Sequence, residues 1–339
     1  TSSTVSVSVL TDATRTGLLF DGVNDYVTMG AAPELNAGGP PSNGFTLECW
    51  FRKEGTGVTS SSGNGGVTGV PLFGKGRGEA ENSNVDCNYF FGINASGLLV
   101  ADFEAYPVNG ITGGQNYPIT GTNAPITNNV WHHAAVTYDG NTATWTLYLD
   151  GVATGTATAA AGALPRYDSI QHFGIGAAFT STGVAEGAFA GRIDEVRVWN
   201  YARSASEIAG AKDYEVASAT GLVGRYGLNE ATGSTTANSL GSGTPAGTLT
   251  NGPIWVDGAS FTPNTLPTIT LDAPTAAYSG MAPAAVHFAA TAADTDGTVT
   301  KVEYYNGTTK IGEATSAPYS FDWTGVTAGS YVVSGKAID

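Results

Sequence analysis

The apolar residues of this chain fall into short runs rich in valine, isoleucine, phenylalanine and tyrosine, with glycine, asparagine, aspartate and serine between them. Such runs predict β-strands joined by tight turns, because β-branched and aromatic side chains suit a half-buried strand. Up to residue 199 the predicted strands are residues 18–20, 26–29, 45–52, 71–75, 89–94, 98–103, 131–138, 144–149, 173–177 and 192–199. Asp21-Gly22 and Asp150-Gly151 mark two of the turns, where glycine reaches positive φ at little cost.

Residues 191–200 contain a β-branched and aromatic run, bounded by Gly191 and Asn200. Ile193 is out of step with the two valines that follow it, so we expect a bend or bulge at the acidic pair between them. A single short helix is predicted over residues 201–211, with Ser204 as its N-cap. Glu207, three residues further on, completes the pattern of a capping box.

Residues 215–261 contain two further apolar stretches, 221–230 and 247–256, which we expect to complete or extend a sheet of the preceding domain. Prolines mark residues 262–266 as a linker. Beyond it, strands are predicted at residues 268–271, 285–292, 299–305, 309–314, 319–323 and 330–337. Amphipathic helical stretches are nearly absent, so the fold class is all-β.

Composition and charge narrow the class of protein. Charged residues make up only 13% of the chain, and hydrophobic residues reach 41%, which is enough to build packed cores. The net charge is −15 and the lysines and arginines form no patch, so nucleic-acid binding, which needs clustered cations, is not expected. No apolar run is long enough to span a bilayer. We expect a secreted protein, and a first residue other than methionine suggests a processed or excised piece.

Two segments resemble the signature ends of the bacterial laminin-G-like jelly-roll domain, a concanavalin-like β-sandwich. Residues 20–27 are Phe-Asp-Gly-Val-Asn-Asp-Tyr-Val, and residues 191–199 are Gly-Arg-Ile-Asp-Glu-Val-Arg-Val-Trp. That family usually opens with Phe-Asp-Gly-x-x-Asp-Tyr-Val and closes with Gly-x-Ile-Asp-Glu-Val-x-Val-Trp. Residues 131–151 resemble its central hairpin, and residues 293–307 resemble the bacterial Ig-like repeats of surface proteins.

The resemblance implies a concanavalin-like jelly-roll sandwich followed by a smaller Ig-like sandwich. We expect the jelly roll with its C-terminal strand extension at residues 17–261, the linker at 262–266, and the Ig-like domain at 267–339. The Ig-like domain is somewhat shorter than usual and lacks its last strand.

The missing strand has a counterpart at the other end of the chain. Residues 1–12 form a separate predicted strand, in which Val5, Val7 and Val9 alternate with polar residues. We expect these valines to fill the open edge of a neighbouring copy, a donor-strand arrangement, or the chain to be one period of a longer polypeptide. The alternative is that this strand pairs within its own chain.

The resemblance also implies a structural calcium ion. In the laminin-G-like family, residues equivalent to Asp21 and Asp194 lie near one another and hold Ca²⁺ together with backbone carbonyls. Asp25 and Glu195 are expected as additional ligands. The alternative is that Asp21 is a turn residue and Asp194 a surface carboxylate.

The remaining acidic residues carry weaker signals. Asp294 and Asp296 form a second, minor calcium candidate, but an ordinary turn is favoured because a full calcium loop needs later ligands. Asp102 and Glu104 share one face of a predicted strand, as a pair of glycosidase carboxylates does, yet no apolar pocket around them is evident. No nucleophile, zinc or phosphate-binding motif is present, so we do not expect an enzyme.

The two cysteines, Cys49 and Cys87, each lie beside an aromatic strand. In a chain of extracellular character, two cysteines favour a disulfide, and the alternative is a pair of buried thiols.

A long polar loop at residues 105–129 is the best candidate for ligand binding, because loops of that length are usually functional or mobile. Sugar recognition uses flat aromatic rings together with amides. The loop offers Tyr106, Tyr117, Asn109, Gln115 and Asn116. The alternative is that its aromatic residues pin the loop onto the sandwich. A glycine-rich tract at residues 55–69 is expected to be flexible.

The resemblance is specific for fold rather than for function, because sandwich folds host many unrelated activities. We expect a non-catalytic module of the bacterial cell surface that serves adhesion or builds a head-to-tail extracellular filament from copies of itself. The alternative is a carbohydrate-binding accessory module of a larger secreted hydrolase, with a glycan as its partner.

Overall fold

The computed structural model describes residues 15–108, 110–122, 124–216, 218–241, 243, 245–261, 267–274, 278–294 and 299–338. The chain divides into two compact units, with the boundary between Phe261 and Thr262. The predicted donor strand with Val5, Val7 and Val9 lies outside the described residues, as does the predicted linker, so both stay predictions.

Unit 1 is built from short strands, which confirms the all-β prediction. In chain order its strands are β1 (Thr16–Asp21), β2 (Tyr26–Gly30), β3 (Gly44–Lys53), β4 (Ser60–Ser61), β5 (Thr68–Lys75), β6 (Tyr89–Ile93), β7 (Leu99–Asp102), β8 (Ile119–Thr120), β9 (Trp131–Asp139), β10 (Thr144–Leu149), β11 (Val152–Thr158), β12 (Phe173–Ile175), β13 (Ala178–Phe179), β14 (Ala185–Glu186), β15 (Ala190–Trp199), β16 (Leu222–Tyr226), β17 (Thr235–Thr236), β18 (Gly247–Thr250) and β19 (Ile254–Asp257). A 3₁₀ turn covers Pro33–Leu35, and helix α1 covers Ala205–Ala211.

The strands of unit 1 form two large antiparallel sheets within the described residues. The first has the order β11-β10-β9-β3-β15-β1-β19, with β16 also paired to β15. The second has the order β17-β18-β2-β12-β5-β6-β7-β8, with β4 also paired to β5. Neighbours in these sheets are often distant in sequence, which is the long-range pairing of a sandwich rather than of a simple meander.

One continuous core lies between the two sheets. It is formed by fully buried aliphatic and aromatic side chains that alternate along the strands of both sheets. The first sheet contributes Leu18, Phe20, Leu47, Phe51, Val136, Leu147, Ile193, Val196 and Val198, and the second contributes Val27, Phe73, Phe91, Ile93, Leu99, Phe173 and Ile175. Several of the rings contact one another edge to face, as Phe45 and Trp145 do at 5.4 Å between centroids.

The predicted irregularity of the closing strand is a β-bulge. The register of β15 against β3 shifts between Asp194 and Arg197, and Glu195 has a positive φ of 49°. The extra residue places both Ile193 and Val196 in the core, which explains why they are out of step in the sequence.

The bulge also directs Glu195 into a buried ion network on the outer face of the first sheet. Glu195 Oε2 accepts hydrogen bonds from Arg197 Nη2 at 2.8 Å and from Arg225 Nε at 3.0 Å, and all three side chains are almost completely buried. Arg197 projects from β15 and Arg225 from β16, so the network joins the two strands. Two guanidinium groups around one carboxylate satisfy its lone pairs away from water.

A second polar group lies on the same outer face and holds the segment after β15. Glu48 Oε1 accepts hydrogen bonds from Trp199 Nε1 at 2.6 Å and from Arg203 Nη1 at 2.8 Å. The Arg203 guanidinium also lies 4.2 Å from the centroid of the Trp199 ring, which is a cation–π contact. The pKa of the buried Glu48 carboxyl is pushed up by burial but held well below its usual range overall by His133, Arg203 and Arg197.

Helix α1 follows this anchor and is capped as predicted. Glu207 N donates to Ser204 Oγ, and Ser204 N donates to Glu207 Oε2 at 2.7 Å, which completes the capping box. The helix begins at Ala205 rather than at residue 201, because its N-cap Ser204 has an extended backbone.

The residues after the helix extend both sheets. Leu222–Tyr226 pairs with β15 and Ile254–Asp257 with β1 in the first sheet, while Gly247–Thr250 pairs with β2 in the second. The glycine-rich tract expected to be flexible is instead a hydrogen-bonded hairpin, in which Ser60–Ser61 pairs with the start of β5.

Unit 2 is a smaller pair of three-stranded sheets within the described residues. Its strands are β20 (Thr268–Ala273), β21 (Ala284–Ala293), β22 (Lys301–Asn306), β23 (Thr309–Ala314), β24 (Ser320–Val326) and β25 (Val333–Ile338). The sheet orders are β20-β21-β24 and β23-β22-β25. Phe288, Ala290, Val302, Tyr304 and Tyr319 form its core.

The ion network around Glu195 is expected to be essential for stability. Arg225→Met leaves Glu195 buried with one guanidinium instead of two, and we expect it to lower the free energy of unfolding of unit 1 by about 3 kcal/mol. The matched control is Arg192→Met, which removes a partly exposed pair with Glu54 and is expected to cost less than about 1 kcal/mol. Urea unfolding followed by tryptophan fluorescence measures both, and equal costs for the two variants would contradict the role of the network.

Candidate functional site

Two of the carboxylates predicted to share a calcium ion, Asp21 and Asp194, lie apart. Asp21 lies opposite Ala190 in the pairing of β1 with β15, and Asp194 lies four residues further along β15. At the rise of an extended strand this separates them by about 13 Å. That separation is too great for one ion to bind both, and calcium binding stays a prediction.

Each of these carboxylates has a different structural role. Asp21 Oδ1 accepts a hydrogen bond from Val23 N at 2.8 Å and closes the turn predicted at Asp21-Gly22. Asp25 Oδ2 accepts one from Asp21 N, and Asp194 Oδ2 accepts one from Ala259 N at 2.9 Å. The last contact attaches the C-terminal strand extension to the bulge.

Within the described parts of the chain, no group of three or more histidine, cysteine, aspartate or glutamate side chains is arranged to hold a metal ion. Glu195, expected as a calcium ligand, is neutralised by two arginines instead. Asp296 of the second candidate lies outside the described residues, so the pair it forms with Asp294 stays a prediction, as does calcium binding in general.

The disulfide predicted between Cys49 and Cys87 is not formed, because both cysteines are free and buried. Cys49 lies in β3 of the first sheet and packs into the main core. Cys87 precedes β6 in the second sheet and packs into a separate cluster with Phe90 and Val100. Burial raises the pKa of both thiols well above the usual value, so they remain protonated and inert.

The two tyrosines of the predicted ligand-binding loop serve to attach that loop. The Tyr106 ring packs against the Tyr167 ring at 4.5 Å between centroids. The Arg166 guanidinium lies 5.5 Å from the centroid of the Tyr106 ring. Tyr117 is buried in the main core and contacts the Phe103 ring at 5.2 Å. These two tyrosines therefore fix the loop onto the sandwich, as the alternative reading of the sequence expected. Asn109 lies outside the described residues.

The two loop amides, in contrast, line a cavity of about 450 Å³ on the surface of unit 1. Three loops meet there: the turn of the β4–β5 hairpin, the loop between β5 and β6, and the loop that follows β7. The lining residues are Asn64, Gly65, Glu81, Thr112, Gly113, Gly114, Gln115 and Asn116. We call this cavity the amide pocket, because side-chain amides and glycine backbone dominate its wall.

The turn beside the amide pocket requires glycine at two positions. A Cβ atom on Gly63, whose φ is 128°, would lie 2.6 Å from Glu104 Oε1, and one on Gly66 would lie 2.4 Å from Asp102 Oδ2. Both glycines therefore allow the turn to pass directly over two carboxyl groups. Asn116 lies at the same place, with its Nδ2 3.1 Å from the Gly63 Cβ position.

Asp102 and Glu104, which we call the buried acid pair, are 0% and 1% exposed. Asp102 Oδ2 accepts a hydrogen bond from Ser62 Oγ at 2.6 Å, and Glu104 accepts one from the backbone of Cys87. Burial raises the pKa of Asp102 to about 8 and that of Glu104 to about 9. The expectation that no apolar surroundings raise the pKa of these residues is thus wrong, because the overlying turn excludes water from both.

A third carboxyl group, Asp86, continues the acidic surroundings behind the pocket. Burial raises its pKa to about 6, although Arg166 Nη1 lies 3.7 Å from its Oδ2. The second oxygens of Asp86 and Asp102 and the amide oxygen of Asn116 are buried and accept no hydrogen bond from the described residues.

The sequence prediction found two members of the pocket, Gln115 and Asn116, and missed the rest. Asn64 lies in the glycine-rich tract that composition marked as flexible, and Glu81 lies in a loop without a motif. The signal that pointed to the tract was its glycine content, since paired glycines often permit close approach of the backbone to another group.

The arrangement can form hydrogen bonds with a polar molecule. Amide, hydroxyl and backbone groups of the wall both donate and accept hydrogen bonds. The buried acid pair lies beneath the turn with almost no exposed surface, whereas a pair of catalytic carboxylates must reach both sides of the bond that breaks.

The state of the cysteines is directly testable. We expect no reaction of the native protein with a thiol reagent, since both sulfurs are buried, and two reactive thiols per chain after unfolding in urea. A peptide that joins Cys49 to Cys87 in a non-reducing digest would contradict the structure.

The buried acid pair predicts a characteristic pH dependence of stability. In the unfolded chain these carboxyl groups lose their protons near their usual pKa values, whereas the folded state keeps the proton of Asp102 up to about pH 8. The free energy of unfolding therefore falls as pH rises through that interval. Asp102→Asn removes this contribution, so its stability is expected to fall less than that of the wild type, by on the order of 2 kcal/mol between about pH 5 and about pH 8.

Urea unfolding at a series of pH values measures this difference. The control is Asp257→Asn at an exposed position at the end of β19, which is expected to keep the wild-type slope. An Asp102→Asn variant with the same slope as the wild type would show that Asp102 is ionised in the folded protein.

Each of the two units matches a known protein family. The family model of the concanavalin A-like lectin/glucanase superfamily that corresponds to laminin-G-like domains matches residues 21–209, and a bacterial Ig domain model matches residues 267–334. Both resemblances predicted from the sequence are thereby confirmed, in the predicted order. No curated protein matches the chain.

Several solved structures are similar to this chain at low identity. A Bacteroides ovatus protein described as carbohydrate-binding is 20% identical, with a TM-score of 0.50 over 74% of this chain and 62% of that chain. A pentraxin from Limulus polyphemus is 15% identical, with a TM-score of 0.40 over 73% of this chain and 95% of the other. A sialidase carbohydrate-binding module from Ruminococcus gnavus is 14% identical, with a TM-score of 0.36 over 49% of this chain and 80% of the other.

The described residues contain no helix with the length and hydropathy needed to cross a bilayer. With a family model that covers more than half of its length and with the sandwich described above, the chain belongs to the concanavalin A-like lectin/glucanase superfamily, and a bacterial Ig domain follows its lectin-like domain.

Proposed function

We propose that this chain is a non-catalytic carbohydrate-binding module of a secreted protein, and that a glycan binds in the amide pocket. The observation that carries the proposal is the chemistry of the pocket wall, where the amides of Asn64, Gln115 and Asn116 surround a cavity of about 450 Å³. The cavity is open to solvent, so a bound glycan would keep much of its surface exposed.

The wall matches the hydrogen-bonding needs of sugar hydroxyl groups. Each hydroxyl donates one hydrogen bond and accepts others, and a side-chain amide offers both kinds of partner. The three glycines of the wall let a ligand approach the backbone, whose N–H and C=O groups serve the same purpose. Asn116 Oδ1 is buried and accepts no hydrogen bond from the described residues, so a ligand hydroxyl would reach it only if the Asn116 side chain turned toward the cavity.

The wall contains no aromatic residue among the described residues that line it. The rings of Tyr106 and Tyr117, which would stack on a sugar, are used to hold the loop. We therefore infer that recognition rests on directional hydrogen bonds, a mode that favours the specific hydroxyl pattern of one sugar unit over stacking along a polymer.

The family and the described relative support a binding function. The superfamily includes lectins, and the Bacteroides ovatus protein is described as carbohydrate-binding. This chain spans 62% of that protein, which suits a module that serves within a longer polypeptide. Association with a larger secreted hydrolase is consistent with this role, and both domain types are typical of extracellular proteins.

Adhesion and filament formation stay predictions. They depend on residues 1–12, which lie outside the described residues, and on the open edge of the Ig-like domain. In the described residues β25 pairs with β22. A strand from another copy that pairs with β25 would be needed for a filament.

Glycan binding can be tested with the amide pocket variants. On a glycan array and by calorimetry with the best glycan, Asn116→Ala and Gln115→Ala are each expected to weaken binding about tenfold, because each removes hydrogen bonds worth roughly 1–2 kcal/mol. Asn128→Ala removes an exposed amide that does not line the pocket and is expected to bind like the wild type. Binding that survives both pocket substitutions would place the glycan elsewhere, and no binding to any glycan would refute the proposed function.

A further inference from the structure

The amide pocket has an unusual balance of charge for a site lined by polar groups. Among its described lining residues, Glu81 is the ionisable one, and no lysine, arginine or histidine contributes to the wall. Glu81 Oε1 lies 3.5 Å from Asn64 N, and its Oε2 lies 3.1 Å from the position of a Cβ on Gly114. The Glu81 carboxylate is therefore held at the wall itself.

Further carboxyl groups lie behind the wall, and those of Asp102 and Glu104 add no charge near neutral pH, because burial raises the pKa of each. Within the described residues, Glu81, Asp102 and Glu104 form no ion pair, and Asp86 shares Arg166 with Asp168. The carboxyl groups on the outer face of the first sheet differ from those near the pocket, because Glu48 and Glu195 each form an ion pair with arginine.

We infer that the amide pocket selects its glycan by charge: it binds uncharged and amine-bearing sugars and excludes sugars that carry a carboxylate or a sulfate. This inference rests on the proposed function and names the ligand class of the same site. It follows from Glu81 on the wall and from the absence of a cationic side chain among the described lining residues.

The physical reason is the repulsion between like charges that lie close together at an exposed site, where low ionic strength leaves them little screened. An anionic sugar would lose part of its hydration on binding and find only neutral amides and hydroxyls to replace it, with Glu81 nearby. An uncharged sugar meets no such repulsion. An ammonium group would gain an opposite charge at Glu81, and salt would weaken that attraction.

Two matched pairs of probes test the inference. Lactose and 3′-sialyllactose differ by one acidic sugar, and the tetramers of N-acetylglucosamine and of glucosamine differ by acetylation of the amine. In calorimetry at low ionic strength, we expect the acidic member of the first pair to bind at least about tenfold more weakly than the neutral one. In the second pair, we expect the amine-bearing member to bind more tightly than the acetylated one, by about fivefold.

The variant Glu81→Gln keeps the shape of the wall and removes its charge. It is expected to bring the affinities within each pair closer together by about fivefold. Glu313→Gln, an exposed position in unit 2, removes the same charge from the whole chain and is expected to leave the ratios unchanged. These ratios separate a local effect of Glu81 from a general effect of net charge.

The possible failures are distinguishable. If 3′-sialyllactose binds as tightly as lactose, or if Glu81→Gln leaves both ratios unchanged, the selection by charge is refuted while carbohydrate binding stands. If none of the four probes and no array glycan binds, the proposed function and this inference fall together. If binding occurs but Asn116→Ala does not weaken it, the glycan binds outside the amide pocket and the inference is refuted for this site.

Discussion

The structure depends on the burial of strand β15 on both of its faces. One face places Ile193, Val196 and Val198 in the core between the sheets. The other face carries Glu195 and Arg197, which are covered by the residues that follow the strand. A strand with an apolar inner face and a charged outer face can be buried on both sides only if each outer charge finds a partner. Arg225 and the carboxylate of Glu195 provide that pairing, and through it the C-terminal extension becomes part of the sandwich.

Unit 1 buries acidic groups in two different ways. On the outer face of the first sheet, Glu48 and Glu195 each bind guanidinium groups, which is a structural use of charge. Beside the amide pocket, Asp102 and Glu104 are buried without a cation among the described residues, and burial raises the pKa of each. Buried acids without a cation lower the stability of the fold as pH rises and they lose their protons.

The sheets of this sandwich provide a rigid frame, and the loops at its edge carry the side chains that line the amide pocket. The hairpin between β4 and β5 is the clearest example, because glycines let its turn pass over the buried acid pair and form one side of the pocket. The tyrosines of the loop after β7 stabilise that loop, which leaves its amides to line the cavity.

The sequence alone determined the all-β class, the two families, most strand positions, the bulge of β15 and the capped helix. These features depend on local periodicity and on short motifs, so neighbouring residues are sufficient to predict them. The tertiary structure decided which distant residues meet. The register of β1 against β15 separates Asp21 from Asp194, and the two cysteines belong to different sheets and stay free. Three loops fold together so that Asn64 and Glu81 lie beside Asn116. Such contacts are set by long-range pairing, and a single sequence carries no local signal for them.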